Sequence, residues 1–453
     1  MQYEAILSII IFLGTLALVM KRPRGINLGI AAGIGAIASL LLGTVSLGDA
    51  LLALDKIWDA SLAFVGIVTL SVTLDAMGFF KYTALRVARL AKGNGVKLYI
   101  YTALLTAMVS VLFANDSAVL ILTPIVMEMV TALALVGDSR LAYLFGAGLI
   151  ADTAAMPLIT SNPVNIVSAD FFGYTFVQHF LFMGPVAVAT IFLSLLIVFL
   201  FFRKKIPRTF SADLVERQIK ETPTPMYLGT SIGTLVVIDI GYVIASYNGI
   251  PVSFVICAGA LFLLLLYGTT CKRIADSTNC NRGVKYVLKK LNWDILFFMI
   301  GIFLVVDGLQ QAGAIDGFAS LFNGALALPG VLSTLVPSLI VTIAASFMNN
   351  WSMTMMGLLA TKQAITTYHL SPQSSTSMIF SNVIGNNLGP HFFPLGSLAI
   401  LMWMGTMKRK GLTIKFKDYL KVGSILSIIE VTVAALILWL EVGVFHLVLP
   451  SIL

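Results

Sequence analysis

Long apolar runs, without a regular alternation of apolar and polar positions, occupy almost the whole chain. A helix needs ~20 mostly apolar residues to cross a bilayer, whereas the strands of a membrane barrel alternate apolar and polar residues. The pattern therefore predicts an all-α polytopic membrane protein. The runs lie at residues 4–20, 26–46, 58–78, 98–136, 141–160, 176–202, 226–246, 251–269, 293–309, 331–366, 376–406 and 418–447.

Composition and charge fit this class. Of the 453 residues, 58% are hydrophobic and 11% charged, which is more apolar sequence than a soluble core needs. Most Lys and Arg residues lie in short loops, and short basic loops stay in the cytoplasm during insertion. We therefore expect both termini outside and attribute the net charge of +8 to topology, not to nucleic-acid binding. The basic loops are residues 21–24, 81–97, 203–220, 272–290 and 408–421.

Placing these loops on one side fixes whether the number of crossings between them is even or odd. This constraint on the number of crossings predicts about ten transmembrane helices. It also predicts two re-entrant hairpins, an inner one near 98–136 and an outer one near 331–366. The polar interruptions at Asn115-Asp116 and at Asn349-Asn350 fall where the hairpin tips belong.

The two halves share this order of parts in opposite orientation, which is typical of the inverted repeats of secondary transporters. The first predicted repeat covers 1–202 and includes a broken helix near 141–172. The second covers 226–453 and includes a broken helix near 376–406. A cytoplasmic linker at 203–225 joins them.

A weak residue correspondence at an offset of 234 supports the repeat. It places Asn115 on Asn349, Asp152 on Asn386 and Asn162 on Gly396.

Four polar breaks interrupt the apolar runs and carry the candidate binding site. Non-helical backbone at membrane depth is tolerated only against protein or a wet cavity, and prolines in two of the breaks free helix ends that can bind a solute. The alternative is kinked helices packed through interhelical hydrogen bonds between amides. The candidate substrate-binding residues are Asn115, Asp116, Ser117, Thr160, Ser161, Asn162, Asn165, Asn349, Asn350, Gly396 and Ser397.

Asp116 and Asp152 are the carboxylates inside the breaks. A charge near the midplane costs ~2.5–3.5 kcal/mol on insertion scales, so protonation or a wet cavity is the expected relief. We predict that these two residues couple transport to protons, with a neutral structural Asp as the alternative. Lesser candidates are Asp75, Asp239, Asp307 and Glu430.

His391 and the cysteines give weaker signals. His391 follows Gly389-Pro390 and could titrate, but we interpret it as a packing or interface residue. Cys257, Cys271 and Cys280 have neither metal-ligand spacing nor a disulfide pattern, so we predict no metal site and no cofactor.

Four strings resemble the bacterial arsenical pump membrane proteins, the arsenite and antimonite efflux permeases of the ArsB family in the ion transporter superfamily. They are FANDSAVLILTPIV at 113–126, ADTAAMPLITSNPVNIVSADFF at 151–172, FMNN at 347–350 and NVIGNNLGPHFFPLGSLAILMW at 382–403. Asn387 departs from the Asp expected in parts of the family.

The resemblance implies export of arsenite and antimonite across the inner membrane in exchange for protons, sometimes with a partner cytoplasmic ATPase. It also implies a scaffold of spans 1–3 and 6–8 and a moving, elevator-like part made of the hairpins and spans 4, 5, 9 and 10. In relatives, the hairpin tips and the breaks after them form the site.

The residues of the breaks suit a neutral solute. Arsenous acid is largely uncharged at neutral pH, and its hydroxyls match Asn amides and Asp oxygens. The breaks contain no Lys or Arg to bind a carboxylate and no cysteine for a trithiolate arsenic site.

Sodium/proton exchange and carboxylate transport remain alternatives. An intramembrane enzyme is disfavoured, because we find no paired nucleophile and base.

Overall fold

The computed structural model describes residues 2–133, 135, 137–211, 213, 215, 216, 219, 228–273 and 283–450, and these residues contain helices and no strand. In the first half the α-helices are α1 Gln2–Lys21, α2 Leu28–Leu41, α3 Leu47–Ala76, α4 Phe79–Leu90, α5 Gly95–Phe113, α6 Asn115–Ala132, α7 Asp138–Thr153, α8 Pro163–Phe172 and α9 Phe176–Phe202. The prediction of an all-helical polytopic membrane protein is confirmed.

The second half continues with α10 Leu228–Tyr247, α11 Val252–Arg273, α12 Gly283–Lys290, α13 Trp293–Gln311, α14 Asp316–Leu326, α15 Leu332–Met348, α16 Asn350–Tyr368, α17 Pro372–Leu388, α18 Leu398–Arg409 and α19 Phe416–Trp439. Short 3-10 turns at Ile159–Ser161, Gly389–His391 and Pro394–Gly396 lie in the breaks, and a π-helical turn at Leu440–Val444 follows α19. Parts of the predicted linker 203–225 and of the basic loop 272–290, including Cys280, lie outside the described residues.

Nine helical segments in the described part of the chain are long and apolar enough to cross a membrane. Seven coincide with predicted spans, and the other two are α5 and α6, the arms of the first predicted hairpin. The remaining predicted spans are too short to meet this criterion, because α2 has 14 residues and the breaks divide two others into α7–α8 and α17–α18.

Helix α3 begins eleven residues before the apolar run that predicted it, at Leu47 rather than at 58. Ser46 and Asp49 form a capping box at its start: the Asp49 amide donates to the Ser46 hydroxyl over 3.1 Å and the Ser46 amide donates to the Asp49 carboxylate over 3.1 Å. The charged first turns hid this part of the helix from a search for apolar sequence.

The helix starts at the hairpin tips and after the breaks coincide at an offset of 235, one residue more than the sequence correspondence indicated, whereas other helix starts of the two halves do not share this offset. Helices α6 and α16 begin at Asn115 and Asn350, and α8 and α18 begin at Pro163 and Leu398. The residue before each hairpin return arm has a positive φ, 61° at Ala114 and 74° at Asn349. At this offset Asn115 corresponds to Asn350, not to Asn349.

Close glycine contacts join helices of the two halves. Helix α2 packs on α13, and α3 packs on α11. A Cβ atom added to Gly301 of α13 would lie 2.8 Å from the Ala32 carbonyl carbon on α2. At the start of α2, the Leu28 and Gly29 amides donate to the Asp294 carboxylate over 3.0 and 2.8 Å, which satisfies two donors at the helix start.

Ion pairs bring several of the basic segments to one end of the bundle. Exposed pairs of this kind add little stability, but they show which segments are neighbours. The pairs are Arg89 with Glu216 at 2.7 Å, Lys205 with Asp138 at 2.7 Å, and Lys410 with Glu128 at 3.7 Å.

Replacing Gly301 by Ala should destabilise the protein by about 1–3 kcal/mol, because the added methyl group meets the α2 backbone. The matched change Gly233→Ala on α10 meets nothing within 4 Å. It should be neutral or stabilising by up to about 1 kcal/mol, because Ala is the better helix former. Melting temperatures of the purified variants in detergent test this. Equal effects of the two changes would contradict the close α2–α13 contact.

Candidate functional site

Both hairpin tips lie in the interior and are shaped by asparagine side chains. The Asp116 amide donates to the Asn115 side-chain oxygen over 2.9 Å, and the Trp351 amide donates to the Asn349 side-chain oxygen over 3.1 Å. The first turns of α6 and α16 therefore lie in the buried interior, where helix starts favour electron-rich groups.

Asp152, at the end of α7, joins the first hairpin tip to the second half of the chain. Its Oδ1 accepts from the Asn115 amide nitrogen over 2.6 Å and from the Ser397 hydroxyl over 3.3 Å. Asp152 is 1% exposed, so its Oδ1 depends on these donors rather than on water, whereas its Oδ2 is buried without a hydrogen-bond partner. Three predicted site residues thus meet at one point.

His391 and Glu430 complete a buried polar network around Asp152. The His391 Nε2 lies 3.6 Å from the Asp152 Oδ2, and its Nδ1 lies 2.9 Å from the Glu430 Oε2. The Thr153 hydroxyl donates to the other Glu430 oxygen over 3.0 Å. The structure places His391, interpreted from the sequence as a packing or interface residue, in contact with two buried carboxyl groups.

The sequence contains one general indication of a functional role for His391 and Glu430. An ionisable residue inside an apolar run suggests a functional site by default. His391 and Glu430 are complementary residues of this kind, separated by 39 positions. Their contact could not be read from the sequence, because it depends on how α19 packs against the second break.

A second cluster of amides links the two broken helices. Asn387 on α17 donates to the Asn165 side-chain oxygen over 2.9 Å and accepts from the Asn162 amide nitrogen over 3.0 Å. Asn165 also donates to the Ala155 carbonyl over 2.9 Å, inside the first break. Asn387, which was not among the predicted site residues, therefore holds the two breaks together.

The other predicted site residues have separate surroundings. The Ser161 hydroxyl donates to the Val111 carbonyl over 2.8 Å, which ties the break to α5. Gly396 packs against α15, where an added Cβ would lie 2.9 Å from the Ala345 carbonyl oxygen. Asp116 and Ser117 are buried in the first turn of α6, and Asp152 acts electrostatically on Asp116.

Two further predicted residues offer polar groups. Thr160 is buried and faces Tyr242 of α10. The Asn350 side-chain oxygen is buried and has no hydrogen-bond partner, so it is an acceptor available to a bound solute.

A cavity of about 250 Å³ leads from the α1–α2 connection to the second hairpin tip. Its lining includes Lys21, Arg22, Asn349 and Leu398. Partial burial lowers the pKa of the Arg22 guanidinium, and the nearby Asp294 carboxylate acts in the opposite direction. Lys21 and Arg22 belong to a basic loop, so the cavity connects this tip with a segment predicted to be cytoplasmic.

The helical bundle with broken helices around a buried polar centre defines a multi-pass membrane protein of the transporter class. The family model described as "Arsenical pump membrane protein", ArsB, matches residues 7–440. The chain therefore belongs to the arsenical pump membrane protein family, as the resemblance of its four strings predicted.

Relatives from bacteria agree with this assignment. An arsenical pump membrane protein of Escherichia coli is 37% identical over 438 residues, which cover 95% of this chain and 98% of the relative. One from Yersinia enterocolitica is 37% identical over 435 residues with the same coverage.

A solved structure shares the fold. The crystal structure of the Alcanivorax borkumensis YdaH transporter, described as having an unusual topology, aligns with a TM-score of 0.55 at 12% sequence identity. The alignment covers 87% of this chain and 88% of that one.

Replacing Asn387 by Asp should destabilise the protein by about 1–3 kcal/mol, because the side chain loses its donor and places an acceptor against the Asn165 oxygen. The control is Asn323→Asp on α14, which is partly exposed and should change stability by no more than about 0.5 kcal/mol. Thermal unfolding in detergent measures both. An Asn387→Asp protein as stable as the native chain would contradict the bridging role.

Proposed function

We propose that this chain exports arsenite, and also antimonite, from the bacterial cytoplasm across the inner membrane in exchange for protons. The observation that carries this proposal is the buried network in which Asp152 contacts Asn115, Ser397 and His391. Membership of the arsenical pump membrane protein family supports the substrate.

The candidate residues suit an uncharged solute with several hydroxyl groups. Arsenous acid both donates and accepts hydrogen bonds, as Asn side chains do. The free Asn350 oxygen and the buried amides at the start of α6 and α16 offer both functions near the hairpin tips. We infer that the solute binds there, with Asn115, Asn349 and Ser117 as further contacts.

The network around Asp152 supports proton coupling. Two carboxyl groups and one imidazole lie in contact, and each is almost fully buried. Adding or removing one proton changes the charge of such a group of side chains, and unbalanced charge is costly in this environment. We infer that Asp152 carries the coupled proton together with His391 and Glu430, and that Asp116 adjusts its affinity.

The proposed movement follows from two kinds of contact between the halves. Helices α1–α3 and α10–α13 would form the scaffold, in which α2 packs on α13 and α3 on α11. Helices α5–α9 and α15–α19 would form the transport part, since the hydrogen bonds of Asp152 and Asn387 hold the hairpins and breaks together. The helix starts shared by the hairpin tips and breaks support a repeat, and we propose that its two copies are inverted and that both termini lie outside.

In the proposed cycle, the site facing the cytoplasm releases its proton and takes up arsenite. The transport part then carries the solute to the outer face, where protons displace it. Inward movement of one proton gains ~2.3 kcal/mol per 100 mV. One-to-one exchange could therefore export an uncharged solute against a gradient of about 50-fold.

Changes at the proposed site should abolish arsenite resistance in a sensitive host. Asp152→Asn, Asp116→Asn and Asn349→Ala should each lower the efflux rate by at least about tenfold, because each removes a buried charge or hydrogen bond. Asp418→Asn, an exposed carboxylate on α19, is the control and should keep full resistance. Immunoblots establish equal amounts in the membrane. Full resistance in Asp116→Asn and Asn349→Ala would place the solute elsewhere.

His391→Gln should uncouple proton movement from arsenite movement. The variant keeps a polar side chain but cannot carry the imidazole proton, so arsenite uptake into everted vesicles should release at least about tenfold fewer protons per solute. His369→Gln is the control, because His369 is an exposed residue after α16. Vesicle pH and arsenite content are measured together. If native vesicles take up arsenite without proton efflux and ignore a pH gradient, exchange is wrong.

A further inference from the structure

Three hydroxyl groups of α19 donate to backbone carbonyl groups of the second break, between residues 388 and 392. The pairs are Ser427 with Leu388 at 3.0 Å, Tyr419 with Pro390 at 3.3 Å, and Ser424 with Phe392 at 3.1 Å. A fourth carbonyl group, that of Gly389, accepts from the Ser346 hydroxyl of α15 over 2.7 Å. One helix therefore supplies most of the donors to this stretch of backbone.

The remaining carbonyl group of the stretch, that of His391, faces a glycine of the same helix. A Cβ atom added to Gly423 would overlap the His391 carbonyl oxygen. Spacings of four and three residues place these positions and Glu430 on one face of α19. The name α19 row is used below for the residues of this face that contact the backbone of the break, which are Tyr419, Gly423, Ser424 and Ser427.

The break needs such donors because its carbonyl groups lie beyond the regular part of α17. The last carbonyl groups of a helix have no partner within it, and buried ones must find partners elsewhere. Tyr419 and Ser427 are fully buried, so their hydroxyl groups serve this purpose inside the protein. The α19 row therefore fixes the path of the backbone on both sides of His391.

The position of the His391 ring is finely balanced between two carboxyl groups. Its Nδ1 lies 2.9 Å from the Glu430 Oε2, whereas its Nε2 lies 3.6 Å from the Asp152 Oδ2. The His391 Nε2 and the Asp152 Oδ2 are both buried without a hydrogen-bond partner. Hydrogen bonds of this kind are normally about 2.7–3.2 Å long, so a small displacement of the ring decides whether these two atoms form one.

The first break is held in a different way. Asn165, which belongs to that break, donates to the Ala155 and Leu158 carbonyls over 2.9 and 3.1 Å. From α9, the counterpart of α19 in the proposed repeat, the His179 Nε2 lies 2.9 Å from the Met156 carbonyl oxygen. The row of hydroxyl donors thus accompanies the break that contains His391.

We propose that the α19 row positions His391, and that this position determines whether a proton passes between the His391 Nε2 and the Asp152 Oδ2. The row holds the backbone of residues 388–392, while Glu430 of the same helix holds the ring. The inference rests on the proposed function, because it names what positions one member of the proposed proton-coupling network. Its residues act through His391 and do not contact the solute.

Nuclear magnetic resonance of the purified full-length chain in liposomes, with histidine labelled by nitrogen-15, tests the positioning. The chain has four histidines, and the resonances of His391 are those missing from His391→Gln. Ser427→Ala should shift the His391 ring resonances, and Ser427→Thr, which keeps the hydroxyl group, should restore them. Thr432→Ala is the matched control, because the Thr432 hydroxyl bonds within α19 to the Ile428 carbonyl. Native resonances in Ser427→Ala, or an equal shift in Thr432→Ala, would overturn the inference.

Gly423→Ala and Tyr419→Phe test the same row by other means. The added methyl group displaces the His391 backbone and the lost hydroxyl group releases its neighbour, so both variants should shift the His391 resonances. Gly405→Ala on α18 is the control for the glycine change, because an added Cβ there meets nothing within 4 Å. The His179 resonances should be the same in every variant, which separates a local displacement of His391 from a loss of the fold.

Everted vesicles measure the consequence for coupling. Ser427→Ala and Gly423→Ala should release at least about fivefold fewer protons per arsenite than the native chain, because a misplacement of about 1 Å can slow a reaction about 100-fold. Ser427→Thr and Thr432→Ala should keep the native ratio. A native ratio in both Ser427→Ala and Gly423→Ala would overturn the inference. If native vesicles show no exchange, the proposed function is wrong, whereas the spectra need no arsenite and still decide whether the α19 row positions His391.

Discussion

The structure depends on supplying hydrogen-bond partners to a carboxyl group that water does not reach. Asp152 ends α7 in the interior, and an isolated charge there would cost more than one helix can offset. Its donors come from the first hairpin tip and from the second break, through Asn115 and Ser397. The two donors to the Oδ1 of this single residue therefore come from segments that are distant along the chain.

The hairpin tips of the two halves have the same local backbone structure. An antiparallel helix pair turns at one residue with positive φ, Ala114 or Asn349, and an asparagine lies beside the start of each return arm. A positive φ at a residue other than glycine is costly, so the surrounding packing must enforce it. Because the broken helices follow both turns at the same spacing, the two halves present helix starts to one shared interior.

The contacts between the two halves are of two chemical kinds, close apolar contacts between helices and hydrogen bonds between the breaks. The α2–α13 contact is close and built on Gly29 and Gly301, a geometry that resists sliding. The contacts between the breaks are hydrogen bonds among Asn162, Asn165 and Asn387. An apolar frame around a polar unit is the arrangement that the proposed scaffold and transport part require.

The sequence by itself determined the helical membrane class, the family and the positions of the four breaks. Apolar runs and prolines determine structure through local interactions, so they can be recognised in the sequence without coordinates. The offset of 234 read from the sequence is one residue smaller than the structural offset. By residue type Asn349 corresponds to Asn115, whereas by backbone geometry Asn349 corresponds to Ala114.

Only the tertiary structure decided which polar residues meet. It joined His391 and Glu430 to Asp152 and placed Asn387 between the broken helices. Each of these contacts joins residues from different helices. The relative rotation and depth of packed helices arise from the packing of many side chains at once, and no local pattern in the sequence encodes them.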